Sequence, residues 1–185
     1  PADYGVVGLS TIGIVIPPFV MGPILALVFG LYLGVLPSGG LDPRHGMTPE
    51  RLILPVITLA LPQIAIISRL MRASMIEVIR SNYIRTARAK GLSAGAVIRK
   101  HALRSAVLPL VSYLGPASAA LLTGSIVIEQ VFQLPGIGRQ FVQAALQRDY
   151  TVVMGVVILY ASLIVALNLI ADLLYAALNP KVKYD

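Results

Sequence analysis

The stretch YTVVMGVVILYASLIVALNLIADLLYAAL, Tyr150 to Leu178, decides the fold class. It carries one ionisable acid, Asp172, close to its end, and no Lys or Arg. A spanning helix needs about 20 mostly apolar residues, so this run is predicted to cross a bilayer. Similar runs recur upstream. The longest uncharged stretch extends from Tyr4 to Leu41, with an apolar centre from Leu9 to Val35 interrupted by Pro17, Pro18 and Pro23. A shorter run, Leu52 to Ser68, contains Pro55 and Pro62, and another covers Ser105 to Ile128. The expectation is an all-α, polytopic transmembrane bundle of about four spans, in one domain covering residues 1–185. Proline is tolerated in membrane helices, so the prolines are predicted to kink the spans rather than break them.

Composition agrees. Of 185 residues, 57% are hydrophobic and 12% charged, with a mean hydropathy of +0.83. A soluble domain carries about 25% charged residues. The absence of cysteine excludes disulfides, zinc–thiolate sites, iron–sulfur clusters and thiol nucleophiles. Proline at residue 1 is not a translation start, so a fragment, a processed chain or a truncated gene is expected. No basic segment precedes the first apolar run, so no signal peptide is read there.

The net charge of +7 would suggest nucleic acid in a soluble protein, but its placement argues otherwise. Nine of the fifteen Lys and Arg lie between Arg69 and Arg104, beside one acid, Glu77. Short loops rich in Lys and Arg stay in the cytoplasm. That puts the loop between spans two and three inside, with the N-terminus and the tail bearing Lys181 and Lys183 on the same side. The connections 37–51 and 129–149, each with two arginines and two acids, are predicted outside.

The cytoplasmic loop, about residues 72–104, has internal structure. Span two is predicted to continue as a helix past Arg72, because no breaker precedes Asn82. Good helix formers follow from Tyr83 to Lys90, Gly91 suits a left-handed C-cap, and Ser93 suits the next N-cap. Val97, Ile98, Ala102 and Leu103 are expected on one apolar face of that second helix. Two short helices joined at Gly91 would form a knuckle. Positive-inside topology alone can account for its charge. It does not account for the glycine joint, Tyr83, or the small residues Thr86, Ala87 and Ala89, which would let a partner approach closely.

On the other side, Pro135-Gly136 signals a turn, and the residues after it suit a short helix at the outer interface. Enzyme chemistry finds little support. His45 and His101 fall on opposite sides of the membrane and cannot share a metal or catalytic centre. There is no Gly-x-Ser-x-Gly elbow, no His-Glu-x-x-His helix and no Walker glycine loop. Carboxylates are scattered. No catalytic residue, metal site or cofactor is assigned. Asp172, one turn after Asn168, reads as a group hydrogen-bonded to a neighbouring helix near the inner interface, ahead of a proton relay. Glu129 and Arg139 are either substrate contacts or interface anchors. Thr123, Gly124 and Ser125 either line a path or serve helix packing.

Specific residues now become recognisable. Tyr83-Ile84-Arg85-Thr86-Ala87-Arg88-Ala89-Lys90-Gly91-Leu92 resembles the coupling loop of ABC-importer permeases, in particular the dipeptide/oligopeptide branch. Arg85-Thr86-Ala87 stands where the wider family has Glu-Ala-Ala, Gly91 is in register, and Leu108-Pro109 supplies the later Leu-Pro. Ile16-Pro17-Pro18-Phe19, Arg72 to Val78, His101 to Arg104, Leu134 to Gly138, Arg148-Asp149-Tyr150, Asp172 to Ala176 and Asn179 to Tyr184 resemble the same branch. Family permeases have six spans, and this chain looks like the last four.

The resemblance implies a permease subunit in a bacterial inner membrane that moves di- or oligopeptides, or related small solutes, inward. The implied partners are a second homologous permease, two cytoplasmic ABC ATPase subunits that hydrolyse ATP, an extracytoplasmic solute-binding protein and the lipid bilayer. It implies an ATPase contact through Tyr83, Arg85, Thr86, Ala87, Ala89, Gly91 and Leu92. It also implies an outer gate or binding-protein contact involving Glu129, Pro135, Gly136 and Arg139. The competing reading is a non-transporting membrane scaffold whose basic loop recruits a cytoplasmic partner or anionic lipid.

Overall fold

The computed structural model describes residues 16–178, and among these every regular element is helical. The expected all-α bundle is present. Three helices, Pro49–Ile79, Leu108–Val131 and Tyr150–Leu178, are long and apolar enough to cross a membrane. The first apolar run contributes a shorter helix, Pro18–Tyr32. The remainder of that expected span, the N-terminus and the Lys181–Lys183 tail lie outside the described residues.

Helix α1 (Pro18–Leu25) corrects the expectation that Pro17 and Pro18 kink a continuous span. Pro17 has ψ 145°, so a helix begins at Pro18 instead. The residue before a proline is pushed out of the helical region, and proline suits the first helical position. Pro23 does sit inside α1, which passes into a π-helical segment, Ala26–Tyr32.

Helix α2 (Pro49–Ile79) runs through Pro55 and Pro62 without breaking, as expected. Its 31 residues rise about 46 Å, more than a bilayer core of about 30 Å needs. The surplus at its C-terminal end carries Met75, Val78 and Ile79 against the knuckle.

The knuckle comprises α3 (Asn82–Ala89), α4 (Ala94–Ala96), a π-helical segment Val97–Ala102 and α5 (Leu103–Ala106). Helix α6 (Leu108–Val131) follows, with Pro116 inside it. It packs on α2, on α1 and most extensively on α8 (Tyr150–Leu178). The short helix expected after the turn at Pro135-Gly136 is α7 (Ile137–Leu146), and it packs against both α6 and α8.

The main core lies where α1, α2 and α6 meet. Leu54, Ile128, Phe132 and Leu134 are buried there, with Leu25, Phe29 and Leu59 around them. The loop after α1 folds onto this end, and the Gly40 N–H donates to the Phe132 carbonyl at 2.7 Å. Hydroxyls along the spans donate to their own helix: Thr58 to Leu54 O at 2.7 Å, Ser118 to Leu114 O at 2.7 Å and Ser162 to Ile158 O at 2.8 Å. Water is absent from a bilayer core, so this internal pairing is how a span carries hydroxyl groups.

Candidate functional site: the knuckle and the α6–α7 turn

The knuckle is built around a glycine joint. Gly91 has φ +78°, the left-handed conformation expected from its place after α3. The Leu92 N–H donates to Ala87 O at 3.4 Å and the Gly91 N–H to Arg88 O at 3.0 Å. These two bonds form a Schellman motif, which satisfies carbonyls left open at a helix end. On the far side, Ser93 Oγ accepts from the Ala96 N–H at 3.4 Å, giving the predicted N-cap.

A small core locks the two arms together. Ile84, Ala87, Val97 and Ala102 are buried against one another and against Met75, Val78 and Ile79 of α2. This corrects two expectations. Ala87 faces this core, so its small side chain serves close packing of α3 and is not offered to a partner. The expected face Val97, Ile98, Ala102 and Leu103 is split: the first and third are buried, while Ile98 and Leu103 are 44% and 40% exposed. The reason is the π-helical turn over 97–102. An i→i+5 repeat aligns Val97 with Ala102 and Ile98 with Leu103, pairs that a 3.6-residue turn would set about 140° apart. Tyr83, Arg85, Thr86, Ala89, Gly91 and Leu92 lie on the knuckle's exposed surface. The projecting tip therefore mixes apolar side chains with the cations Arg85, Arg88, Arg99 and Arg104.

At the opposite end of α2, Asp42 organises the loop before it. Its Oδ1 accepts the backbone N–H of Arg44 at 2.8 Å and of His45 at 2.9 Å. Those two donors, with the His45 side chain and Arg51 nearby, hold the Asp42 carboxyl below the usual carboxylate range. Arg51 donates to the carbonyls of Gly39 at 2.8 Å and Gly40 at 3.2 Å, tying the loop to the start of α2. His45 lies in the loop before α2 and His101 in the knuckle packed at its far end, so the length of that helix separates them.

Glu129 and Arg139 are brought together through the backbone. The Arg139 N–H donates to Glu129 Oε2 at 3.1 Å, and the Arg139 guanidinium donates to Gln133 O at 3.2 Å. Pro135 is exposed in the turn between them, while Gly136 is half-buried. Sequence reasoning did not pair Glu129 with the start of α7. The available signal was a helix opening on Gly136, which has no side chain to cap with.

Thr123 and Ser125 donate to Ala119 O at 2.6 Å and Leu122 O at 2.8 Å on their own helix. A Cβ on Gly124 would stand 3.3 Å from Leu59 of α2, a packing position. The three do not converge on one site. Asp172, expected to be hydrogen-bonded to a neighbouring helix, lies on the exposed surface of α8. Asn168 instead turns toward α6, its amide donating to Ile164 O at 2.9 Å.

Comparison with known proteins places this architecture. Residues 1–184 match the model of the family described as binding-protein-dependent transport system inner membrane component. The chain is 50% identical over 182 residues to the oligopeptide transport system permease protein OppB of Haemophilus influenzae, covering 98% of this chain and 58% of that protein. It is 49% identical to OppB of Escherichia coli K12, with the same coverages. It is 41% identical to the dipeptide transport system permease protein DppB of Bacillus subtilis 168, covering 98% of this chain and 57% of that protein. The chain thus spans less than three fifths of the length of these relatives. With a family model matched over almost every residue, and an all-helical apolar bundle to carry it, the chain belongs to the binding-protein-dependent transport system inner membrane components.

Proposed function

We propose that this chain forms part of the permease of an ABC importer that carries di- or oligopeptides into the cytoplasm. Residues 1–185 make one transmembrane domain. The knuckle end faces the cytoplasm, and the 37–51 loop and α7 face outward. ATP hydrolysis takes place on two separate ATPase subunits. A second homologous permease completes the path, and a solute-binding protein delivers substrate from outside.

The observation that carries this reading is the knuckle itself. It is a short helix ended by a left-handed glycine and fastened by its own core to the end of a membrane helix. A lever of that kind moves as one piece with α2 when a partner pulls on it. Tyr83, Arg85, Thr86, Ala89 and Leu92 supply the contact surface, extended by exposed Ile98 and Leu103. Gly91 sets the angle between the arms, and Ala87 keeps them packed. The relatives' printed roles in oligopeptide and dipeptide transport supply the substrate class.

The test exploits the absence of cysteine from residues 1–185, with any cysteine elsewhere in the gene first replaced by serine. Ala89→Cys in the complete permease gene, cross-linked in native membranes, should capture an ABC ATPase in a nucleotide-sensitive way. Capture of no protein, with expression and insertion intact, would sink the coupling role and favour a scaffold whose basic loop binds anionic lipid.

A further inference from the structure

The segment after α6 is held by an unusual cap. Helix α7 opens on Gly136, whose backbone is extended at φ −114° and ψ 172° and which offers no side chain to the helix's first N–H groups. Such groups normally find a capping oxygen one to three residues away. Here the oxygen comes from ten residues back: Glu129 Oε2 accepts the Arg139 N–H at 3.1 Å. The carboxylate also sits where the positive end of the helix dipole favours an anion.

The surrounding sequence makes room for that carboxylate. A Cβ on Gly136 would collide with the Glu129 carboxyl group. A Cβ on Gly138 would stand 2.5 Å from Ile126 Cα and 3.0 Å from Glu129 Oε2. Gly138 is buried, so the first turn of α7 lies directly on the backbone of α6. Two further bonds cross the same gap, from Arg139 to Gln133 O at 3.2 Å and from the Gln130 amide to Arg139 O at 3.4 Å.

We propose that Glu129 is a positioning residue that clasps α7 to the outer end of α6, so that the outer helix and that span move as one body during transport. The clasp deepens the importer reading and, for its transport readout, rests on it. Glu129 then touches neither substrate nor binding protein. Its carboxylate is engaged by the chain's own backbone; Gly136 leaves room for it, and Gly138 lets α7 sit close on the Ile126 backbone.

The experiment uses the full-length permease assembled with its ATPases and purified in lipid nanodiscs. Hydrogen exchange is read by mass spectrometry on peptides covering 136–146 in Glu129→Ala, Glu129→Gln and Gly138→Ala. A lost charge-assisted bond should speed exchange there by roughly tenfold or more in Glu129→Ala. Glu129→Gln keeps an acceptor oxygen and should recover most of the protection. Gly138→Ala should show the same opening with Glu129 intact. In peptide uptake, Glu129→Ala should lower maximal turnover while the half-saturating concentration of loaded binding protein stays unchanged. Unchanged exchange in Glu129→Ala would overturn the clasp. So would a raised half-saturation at normal turnover, the signature of a direct contact. If the unmodified complex takes up no peptide, the importer reading fails, and the exchange data still decide the clasp.

Discussion

Gly115 of α6 and Asn168 of α8 meet where the two longest-paired helices cross. A Cβ on Gly115 would overlap the Asn168 side-chain oxygen, so a larger residue fits only if that side chain turns away. Small residues let membrane helices approach closely, because packing, rather than water exclusion, drives their association. Gly115→Ala should therefore separate α6 from α8 and destabilise the bundle by roughly 1–3 kcal/mol. Its unfolding midpoint in detergent titration should fall below that of the unmodified protein. The double variant with Asn168→Ala, which removes the obstructing oxygen, should recover most of the loss. Additive losses in the double variant would rule out a direct contact.

The joint at Gly91 makes a different kind of demand. Its φ is +78°, and nothing lies within 4 Å of an added Cβ. Space is not the constraint; backbone handedness is. A left-handed conformation costs an ordinary L-residue roughly 1–2 kcal/mol, and asparagine tolerates it best. Gly91→Asn should keep near-normal peptide uptake. Gly91→Val, β-branched, should lose most uptake while inserting in the membrane at normal levels. Equal uptake by the two variants would show that the left-handed turn is not needed for coupling.

These two glycines mark how far the residues could be read without coordinates. Gly91 was legible because its reason is local: a helix former run ends there and a serine cap follows. The apolar runs were legible for the same reason, since length and hydropathy define a span. Gly115 was not, because its reason is Asn168, fifty-three positions away across a helix interface. Glu129 failed to read as a cap because its partner is ten residues on. The face of Val97, Ile98, Ala102 and Leu103 was misdrawn, because a 3.6-residue turn sets Val97 and Ala102 about 140° apart and only the π-helical turn brings those two together. A 3.6-residue period cannot anticipate a five-residue hydrogen-bond step. Pro17 was misread as a kink because proline starts and bends helices alike, and the following proline decides which.

The knuckle core yields the next prediction. Ile84 of α3 is fully buried against Val97 and the end of α2. Ile84→Ala removes three carbons from a cluster with few other members, at a cost of roughly 2–5 kcal/mol. The spans do not depend on this cluster, so the loss should be local. Hydrogen exchange should accelerate in peptides covering 82–103 and remain unchanged in α8. Peptide uptake should fall while ATP hydrolysis continues, as expected of a softened lever. Exchange rising throughout the bundle would instead make the knuckle core part of the global fold.

The Asp42 turn should respond to acid, and the sign follows from its hydrogen bonds. The Arg44 and His45 N–H groups favour the charged carboxylate, so its folded pKa lies below the ordinary value of about 3.9. A depressed carboxylate stabilises the loop above that ordinary value and loses the contribution as pH falls through the folded value. The loop should thus stay closed at neutral pH and loosen only in strong acid. Proteolysis in the 37–48 segment of the purified protein, by an acid-tolerant protease, should rise only as the pH falls below the ordinary carboxylate value of about 3.9. Asp42→Ala should be open at every pH and show no step. Asp42→Asn keeps an acceptor for both N–H groups without a titrating carboxyl, so it should remain closed and equally pH-independent. A step of unchanged position in Asp42→Asn would assign the transition to another group.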